Sequence, residues 1–343
     1  MKGVVFLGSR RCEVRDVRVP EPGHGEALVR IEATGICGSD LHVYRGERST
    51  DQVRGHEPCG VVERLGPGIK RLKPGDRVSV HHHLGCGVCA QCARGEVVAC
   101  QGHAVVGVGV SGSFAEFTAA PERNCIPLPE GVSFVDGACM ACVGTTAYGA
   151  LRRLDARAHE TLAVFGLGPV GLSCVLVAKA MGLRVIGVDV LPERVALGRT
   201  CGADETIHAG ETDVVPAVRA FSRTAGVEWV EGVDCVIETS GAAAARRCIL
   251  PSLRRGGKAA IVGVGSDEEV INPSHIHGRA ATLIGSVVFP LGWSWDFARF
   301  LAASGLSFEP AVTHRFALDE AETALRTADE GRCGKVLFLP QGN

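Results

Sequence analysis

The pattern of hydrophobic and polar positions changes once along the chain, near Val143. Before that point, short alternating or β-branched runs (Lys2–Leu7, Glu26–Ala33, Gly60–Leu65, Arg77–His81, Gly112–Ala120) are separated by Gly, Pro and Asp turns such as Pro74-Gly75-Asp76. Alternation buries one face of a strand and wets the other, so this part reads as mostly β. Beyond it, helical and strand patterns alternate. A helix over Thr145–Leu154 leads to the strand Leu162–Phe165, a helix through Met181 and the strand Val185–Asp189. Then come a helix from Pro192, Glu205–Ile207, a helix near Val214–Thr224, Val233–Glu238, a helix near Ala242–Leu253, Ala259–Val264 and Thr282–Gly285. Strands separated by whole helices predict a parallel sheet covered on both faces, an α/β fold. Helices over Trp293–Ser304 and Leu318–Glu330 and a last strand, Lys335–Leu339, follow.

Composition narrows the class. The 343 residues, 46% hydrophobic and 22% charged, suit two domains with substantial cores. A net charge of −2 argues against nucleic acid or an anionic membrane as partner. Apolar runs such as Leu162–Phe165 or Leu172–Ala178 fall far short of the roughly 18 residues of a membrane span. The opening MKGVVFLGSRRCEVRDV reads as a strand followed by charges, not as a signal peptide. The cysteines number 15, an odd count in a large chain, which fits a reducing cytoplasm better than a disulfide framework.

Four of those cysteines, Cys86, Cys89, Cys92 and Cys100, lie in GCGVCAQCARGEVVAC. Glycines between the thiols let the loop turn sharply enough for four thiolates to close a tetrahedron around one zinc ion. A site with four protein ligands has no open position, so this zinc is expected to be structural.

A second motif, Gly166-Leu-Gly168-Pro169-Val170-Gly171, follows the strand Leu162–Phe165, opens a helix, and precedes an acidic residue, Asp189, at the end of the next strand. In that setting Gly166 permits the turn, Gly168 admits a pyrophosphate, and Gly171 lets helix and strand pack closely. Unpaired N–H groups at the helix start suit the phosphates. Asp189 can accept from both adenosine-ribose hydroxyls and would repel a 2′-phosphate, which favours NAD over NADP. Arg194 is expected near the adenosine, and Val264 closes a later strand of the same fold.

Cys37, His56 and Cys142 form a third constellation, a Cys2His set that leaves one coordination position for water or an alcohol. Zinc held in this way is a Lewis acid that lets a hydroxyl lose its proton near neutral pH and its carbon then lose hydride to a nicotinamide. Singly, each residue has a duller alternative as a core cysteine or a satisfied histidine. Together with the other two motifs they point to redox chemistry on an alcohol.

GICGSDLH, GHEPCGVVERLG, GCGVCAQCARGEVVAC, CVGTTAYGAL and VFGLGPVGL, in this order, resemble the zinc-dependent medium-chain alcohol and polyol dehydrogenases across essentially the whole chain. The resemblance implies a GroES-like catalytic domain from residues 1–144 and 286–343, with a Rossmann NAD-binding domain, 145–285, inserted. It implies two zinc ions per subunit, the catalytic one on Cys37, His56 and Cys142. Glu57 would reach the zinc transiently, and Asp40 would orient His56. Ser39 would hydrogen-bond the substrate oxygen, and His42 would end a proton relay as general base. Lys335 would lie near the pyrophosphate. The family forms dimers or tetramers, so a homo-oligomer is expected.

Departures from the family narrow the substrate. Sorbitol- and threonine-type members place Glu where this chain has Cys142, so the third ligand is alcohol-dehydrogenase-like. Simple alcohol dehydrogenases carry a bulky aromatic four residues before the first lobe cysteine; here that position is His82, flanked by His81 and His83. The segment GERSTDQVRGHE puts Arg48, Ser49, Asp51, Gln52 and Arg54 where an apolar run is usual. With His82, Arg48 and Asp51 in the pocket, a polyhydroxylated substrate is expected: a secondary hydroxyl of a polyol, sugar, cyclitol or aminosugar, as in aminoglycoside-type metabolism, oxidised to the ketone. The alternative is a dehydrogenase or reductase of simple aliphatic or aromatic alcohols and aldehydes. A non-catalytic NAD-binding redox sensor of the same fold would typically lack both zinc sets, which this chain has.

Overall fold

In the computed structural model, residues 1–223, 231–265, 271 and 273–342 are described. The chain forms two compact units, one from Met1–Thr145 with Val288–Asn343, the other from Thr146–Val287.

The first unit is built on a seven-stranded sheet. Its backbone is the long strand Glu26–Gly35, with Pro58–Leu65, Arg77–Val80 and Cys125–Pro127 stepping away on one side. On the other side lie Lys335–Phe338 and then Val312–Phe316, and Phe117–Pro121 also pairs with the long strand. Lys335–Phe338 runs antiparallel to Glu26–Gly35, with Leu337 opposite Gly35, and parallel to Val312–Phe316. Phe6, Phe114 and Phe338 pack their rings 5.1 to 6.4 Å apart in the core beside this sheet, and all three are fully buried. Each contributes about 1.5–3 kcal/mol by leaving water.

The second unit is a six-stranded, wholly parallel sheet in the order Glu205–His208, Arg184–Asp189, Thr161–Phe165, Val233–Glu238, Leu253–Ile261, Thr282–Gly285. Thr161–Phe165 is buried at every position because helices cover both faces, which is why its sequence is a run and not an alternation.

Several elements differ from the pattern-based expectation. The strand expected to reach Val264 ends at Ile261, because Val262 and Gly263 both turn their N–H groups onto the Glu238 carbonyl; Val264 beyond it is 96% exposed. The run expected as a strand from Gly112 becomes one only at Phe117, since Gly112, Ser113 and Phe114 donate instead to the backbone of Val53, Gly55 and Arg54. The helix expected to end at Thr224 is Val214–Arg223, with Thr224 outside the described residues. Two short helices, Gly38–Arg45 and Phe134–Ala141, were not legible in the pattern, and both carry residues of the site.

Candidate metal centre and nucleotide loop

Within the first unit, Cys37, His56, Glu57 and Cys142 bring one ligand atom each to within 4.8 Å of one another. Cys37 caps the helix Gly38–Arg45, and its N–H donates to Asp40 Oδ2 at 3.0 Å. The other Asp40 oxygen lies 3.1 Å from His56 Nδ1, which leaves Nε2 as the nitrogen for a metal. His56 and Glu57 stand just before the strand Pro58–Leu65, and Cys142 closes the helix Phe134–Ala141. Three backbone segments far apart in sequence therefore meet at one point.

The electrostatics are those of a cation site. Cys142 donates to Cys37, and that bond, with His56 beside it, holds the Cys37 thiol well below the ordinary range against the opposing effect of burial. The same bond and burial push Cys142 well above it. Burial opposes a charged His56, but Asp40 and Cys37 outweigh it and raise its pKa well above the usual value. Glu57, wholly buried, is pushed up to about 7 by desolvation, which Lys335 partly offsets. Glu57 Oε1 is buried without a hydrogen-bond partner. Two sulfurs, a ring nitrogen whose opposite face is anchored, and an orphaned carboxylate oxygen at this spacing fit a zinc ion.

Ser39 and His42 sit one turn apart on the same face of the helix Gly38–Arg45, and both are exposed. Ser39 Oγ is 3.5 Å from His56 Nε2, on the side where a metal would bind. Lys335 departs from the expectation of a pyrophosphate contact. Its Nζ donates to the Ile36 carbonyl at 2.9 Å and lies 2.5 Å from Glu57 Oε2, a charge contact rather than an aligned hydrogen bond. The side chain is buried because the strand Lys335–Phe338 runs beside Gly35, inside the sheet.

The expected pocket residues divide. His82 is 3% exposed, with its ring 5.0 Å from that of His56 and Nδ1 2.8 Å from the Ala141 carbonyl. Arg48 and Asp51 are a correction. Both are exposed, and Asp51 pairs with Arg15, because the segment lies along the first strand through Gly46 and Thr50 and turns these two side chains outward. Of the same polar segment, Arg54 is the residue turned inward, and one further residue near the site, Phe289, carries no sign in the sequence. Arg54 is 7% exposed with Nε unpartnered and its guanidinium 5.8 Å from the Phe6 ring centroid. Phe289 is buried with its ring 4.9 Å from His81 and 6.1 Å from His82. Nothing local in SVVFPLG marks the latter.

The lobe cysteines, Cys86, Cys89, Cys92 and Cys100, form a second group with sulfurs within 4.8 Å of one another. Gly87 donates to Cys92 Sγ at 3.3 Å, and Cys86 N–H to Cys100 Sγ at 3.4 Å. The backbone N–H groups of Val88 and Cys89 bring the Cys86 thiol down to about 6. A Cβ on Gly85 would stand 2.4 Å from Cys92 Sγ, so that glycine is required by the closeness of the sulfurs. Four converging thiols with backbone donors fit a zinc ion in tetrahedral coordination.

In the second unit, the glycines of the loop after Thr161–Phe165 divide their work by geometry. Gly166 has φ +91°, and a Cβ on Gly171 would stand 1.8 Å from the Gly166 carbonyl oxygen. At Gly168 a Cβ would meet nothing closer than Arg194 at 3.7 Å, which leaves room for a ligand. The helix Pro169–Ala180 starts with Pro at its first position and no side-chain cap, so its first N–H groups are free for phosphate. Asp189 accepts from Leu167 N–H at 2.6 Å and Leu191 N–H at 2.9 Å, with Arg194 3.9 Å away.

A cysteine–histidine metal centre in a β-rich unit and a glycine-loop Rossmann unit together define a zinc- and nicotinamide-dependent oxidoreductase acting on CH–OH groups. Residues 23–130 match the alcohol dehydrogenase GroES-like domain, and residues 169–303 match the zinc-binding dehydrogenase model. The chain is 35% identical to the uncharacterized zinc-type alcohol dehydrogenase-like protein YphC of Escherichia coli K12, over 98% of each chain. It is 31% identical to an L-threonine 3-dehydrogenase of Rhizobium etli, over 95% of this chain and 94% of that one. Alcohol dehydrogenase TADH from Thermus sp. ATN1 superposes with a TM-score of 0.90 at 32% identity, covering 99% of both chains. The chain belongs to the zinc-dependent medium-chain alcohol dehydrogenase family. Among the described residues, no single helix is long and apolar enough to cross a membrane.

Proposed function

We propose that this dehydrogenase oxidises a secondary hydroxyl of a polar, polyhydroxylated substrate (a polyol, sugar, cyclitol or aminosugar) to the ketone, with NAD⁺ as the acceptor. The observation that carries the reading is His82. A polar ring stands 5.0 Å from His56, where a hydrocarbon ring would line a pocket for simple alcohols. The name of the L-threonine 3-dehydrogenase relative, which points to reaction beside other polar groups, adds support.

Cys37, His56 and Cys142 would hold a zinc ion that, when bound, would act as a Lewis acid on the substrate hydroxyl, with a bound nicotinamide as the hydride acceptor. Ser39 Oγ, 3.5 Å from His56 Nε2, would take the hydroxyl proton while giving up its own to the nicotinamide ribose, and His42, one turn on in the same helix, would receive the proton at the end of that relay and release it to water. Asp40 keeps His56 in the tautomer that offers Nε2. Glu57 holds a second carboxylate oxygen in reserve beside the same ligands. Cys86, Cys89, Cys92 and Cys100 would hold a second zinc, which would order their loop. Asp189 retains lone pairs for the two adenosine-ribose hydroxyls, and its charge disfavours a 2′-phosphate, which supports NAD over NADP. Gly166, Gly168, Pro169, Val170 and Gly171 cradle the pyrophosphate, with Arg194 and Val264 at its margins.

The test is NADH formation from a panel of polyols, sugars, cyclitols, aminosugars and simple alcohols after zinc content is measured. Turnover confined to polyhydroxylated compounds, lost in a folded Cys37→Ser protein, is the expected result. Preference for ethanol or benzyl alcohol would overturn it.

A further inference from the structure

The strand order of the parallel sheet reverses between Thr161–Phe165 and Val233–Glu238, and a dinucleotide bound at such a sheet lies across the carboxyl ends of the strands on both sides of that point. Asp189 ends the strand Arg184–Asp189 on one side, the adenosine side in the reading above. The nicotinamide half then falls to the ends of Val233–Glu238 and Leu253–Ile261. Two loops leave those ends, residues 239–241 and 262–265.

Glu238 holds both loops. Its side chain is wholly buried. Oε1 accepts from Ser240 N–H at 2.6 Å, from Ser240 Oγ at 2.6 Å and from Gly241 N–H at 2.7 Å, which fixes the first loop. The Glu238 carbonyl accepts from Val262 and Gly263 N–H at 2.8 and 2.9 Å, which fixes the start of the second. Oε2 is buried without a hydrogen bond and stands 3.8 Å from Arg246 Nε, itself buried and without one. Arg246 Nη2 donates to the Gly263 carbonyl at 3.1 Å, so the arginine links the glutamate charge to the backbone of the second loop. The two loops meet main chain to main chain. A Cβ on Gly263 would lie 2.2 Å from Gly241 N, and one on Gly265 would lie 2.0 Å from Gly241 O.

A buried ion pair is often no more stabilising than an apolar pair of the same volume, because desolvation offsets its attraction. What the charges add here is direction, since each of these hydrogen bonds ends on a loop and none on the body of the sheet. Val264, in the second loop, is 96% exposed although the residues on either side of it pack against Gly241. An apolar side chain is thus held still and left uncovered at the strand ends. We propose that Glu238 and Arg246 are positioning residues for the nicotinamide half of the cofactor, acting through the spacing of residues 239–241 and 262–265. The inference rests on the dinucleotide reading of the glycine loop above and extends it to residues outside that loop.

The test compares NADH with AMP, which carries only the adenosine half, by titration calorimetry on the zinc-loaded full chain. Arg246→Met is expected to weaken NADH binding about tenfold and AMP binding by less than about twofold. It also leaves the Glu238 charge buried alone, so its thermal midpoint should fall. The double variant Glu238→Gln, Arg246→Met removes both charges and should regain much of the midpoint, while NADH stays weakened because the bond to Gly263 is still missing. Arg246→Lys keeps a cation beside Glu238 without the forked guanidinium, and it decides the matter if Arg246→Met does not fold. It should weaken NADH relative to AMP by about threefold. A ratio of NADH to AMP affinity unchanged from wild type in the variants that fold, or an NADH affinity that returns with the midpoint, overturns the inference. Failure of the dinucleotide reading looks different, as a wild-type protein that binds neither compound.

Discussion

Lys335 Nζ stands 2.5 Å from Glu57 Oε2, and both side chains are closed off from solvent, at 1% and 0% exposure. Gly35 makes the room, since a Cβ there would lie 2.0 Å from Glu57 Oε2 and 2.4 Å from Lys335 Cε. The lysine gives a buried carboxylate its counter-charge next to two cysteines and a histidine, so the pair belongs to the charge balance of the metal centre.

Removing one member of such a pair leaves the other charge uncompensated. Lys335→Met is expected to destabilise the protein by about 3–5 kcal/mol, and adding Glu57→Gln should recover much of that loss. Denaturant unfolding of both single variants and the double variant measures the coupling. Additive losses would mean the two charges do not interact.

Cys100→Ser should remove one bound zinc per chain and lower the thermal midpoint, because the lobe loses the thiol that Cys86 N–H contacts at 3.4 Å. Metal analysis beside a thermal melt reads both. Unchanged zinc content would show that the lobe binds none.

Asp189 carries two tasks, the turn hydrogen bonds to Leu167 and Leu191 and the acidic end of the nucleotide loop. Asp189→Ser is expected to raise kcat/KM for NADP relative to NAD by about tenfold or more, since a negative charge facing a 2′-phosphate is gone. Steady-state kinetics with both cofactors give the ratio. A preference for NAD that persists in the variant would place its origin elsewhere.

Asp234 joins strands by accepting from Thr161 N–H at 2.8 Å, from Thr161 Oγ1 at 2.7 Å and from Arg254 Nε at 2.6 Å. Burial alone would raise its pKa, but these donors outweigh burial and lower it. A carboxylate whose folded pKa lies below its unfolded one adds stability above the unfolded value, about 3.9, and loses it as pH falls through the folded value. Asp234→Asn should therefore cost about 1–3 kcal/mol near neutral pH, with the gap to wild type closing below about pH 4. Unfolding midpoints across pH test this; a gap that widens in acid contradicts the sign.

What the sequence made legible is what is local in it. The lobe cysteines lie in one short loop, and the glycine loop, its strand and Asp189 are neighbours along the chain, so spacing alone marks both. The parallel sheet was readable because its buried strands are apolar runs between helices. The helix Gly38–Arg45 was not, since its eight residues bury only Asp40, Leu41 and Tyr44 and show no apolar stripe. Lys335 escaped for a different reason. A lysine near the end of the chain gives no local sign that it will be buried against Glu57, and only strand pairing with Gly35 brings it there. Arg48 and Asp51 were over-read because polarity along a segment does not say which side of it faces a site.

The strand that carries Lys335 has an interior place in the sheet, between Glu26–Gly35 and Val312–Phe316, although every other described strand precedes it in the chain. During synthesis the Rossmann unit, a continuous stretch, can complete itself while the first unit still has an open edge along Glu26–Gly35. Pairing across some three hundred residues is a slow, high-contact-order step. Until it happens, Glu57 has no counter-charge and the sheet exposes a template for other strands. The expected vulnerability of this protein is therefore a nascent one. Clipping the chain ahead of Lys335 would trap a folded nucleotide unit tethered to an aggregation-prone, unbalanced metal unit.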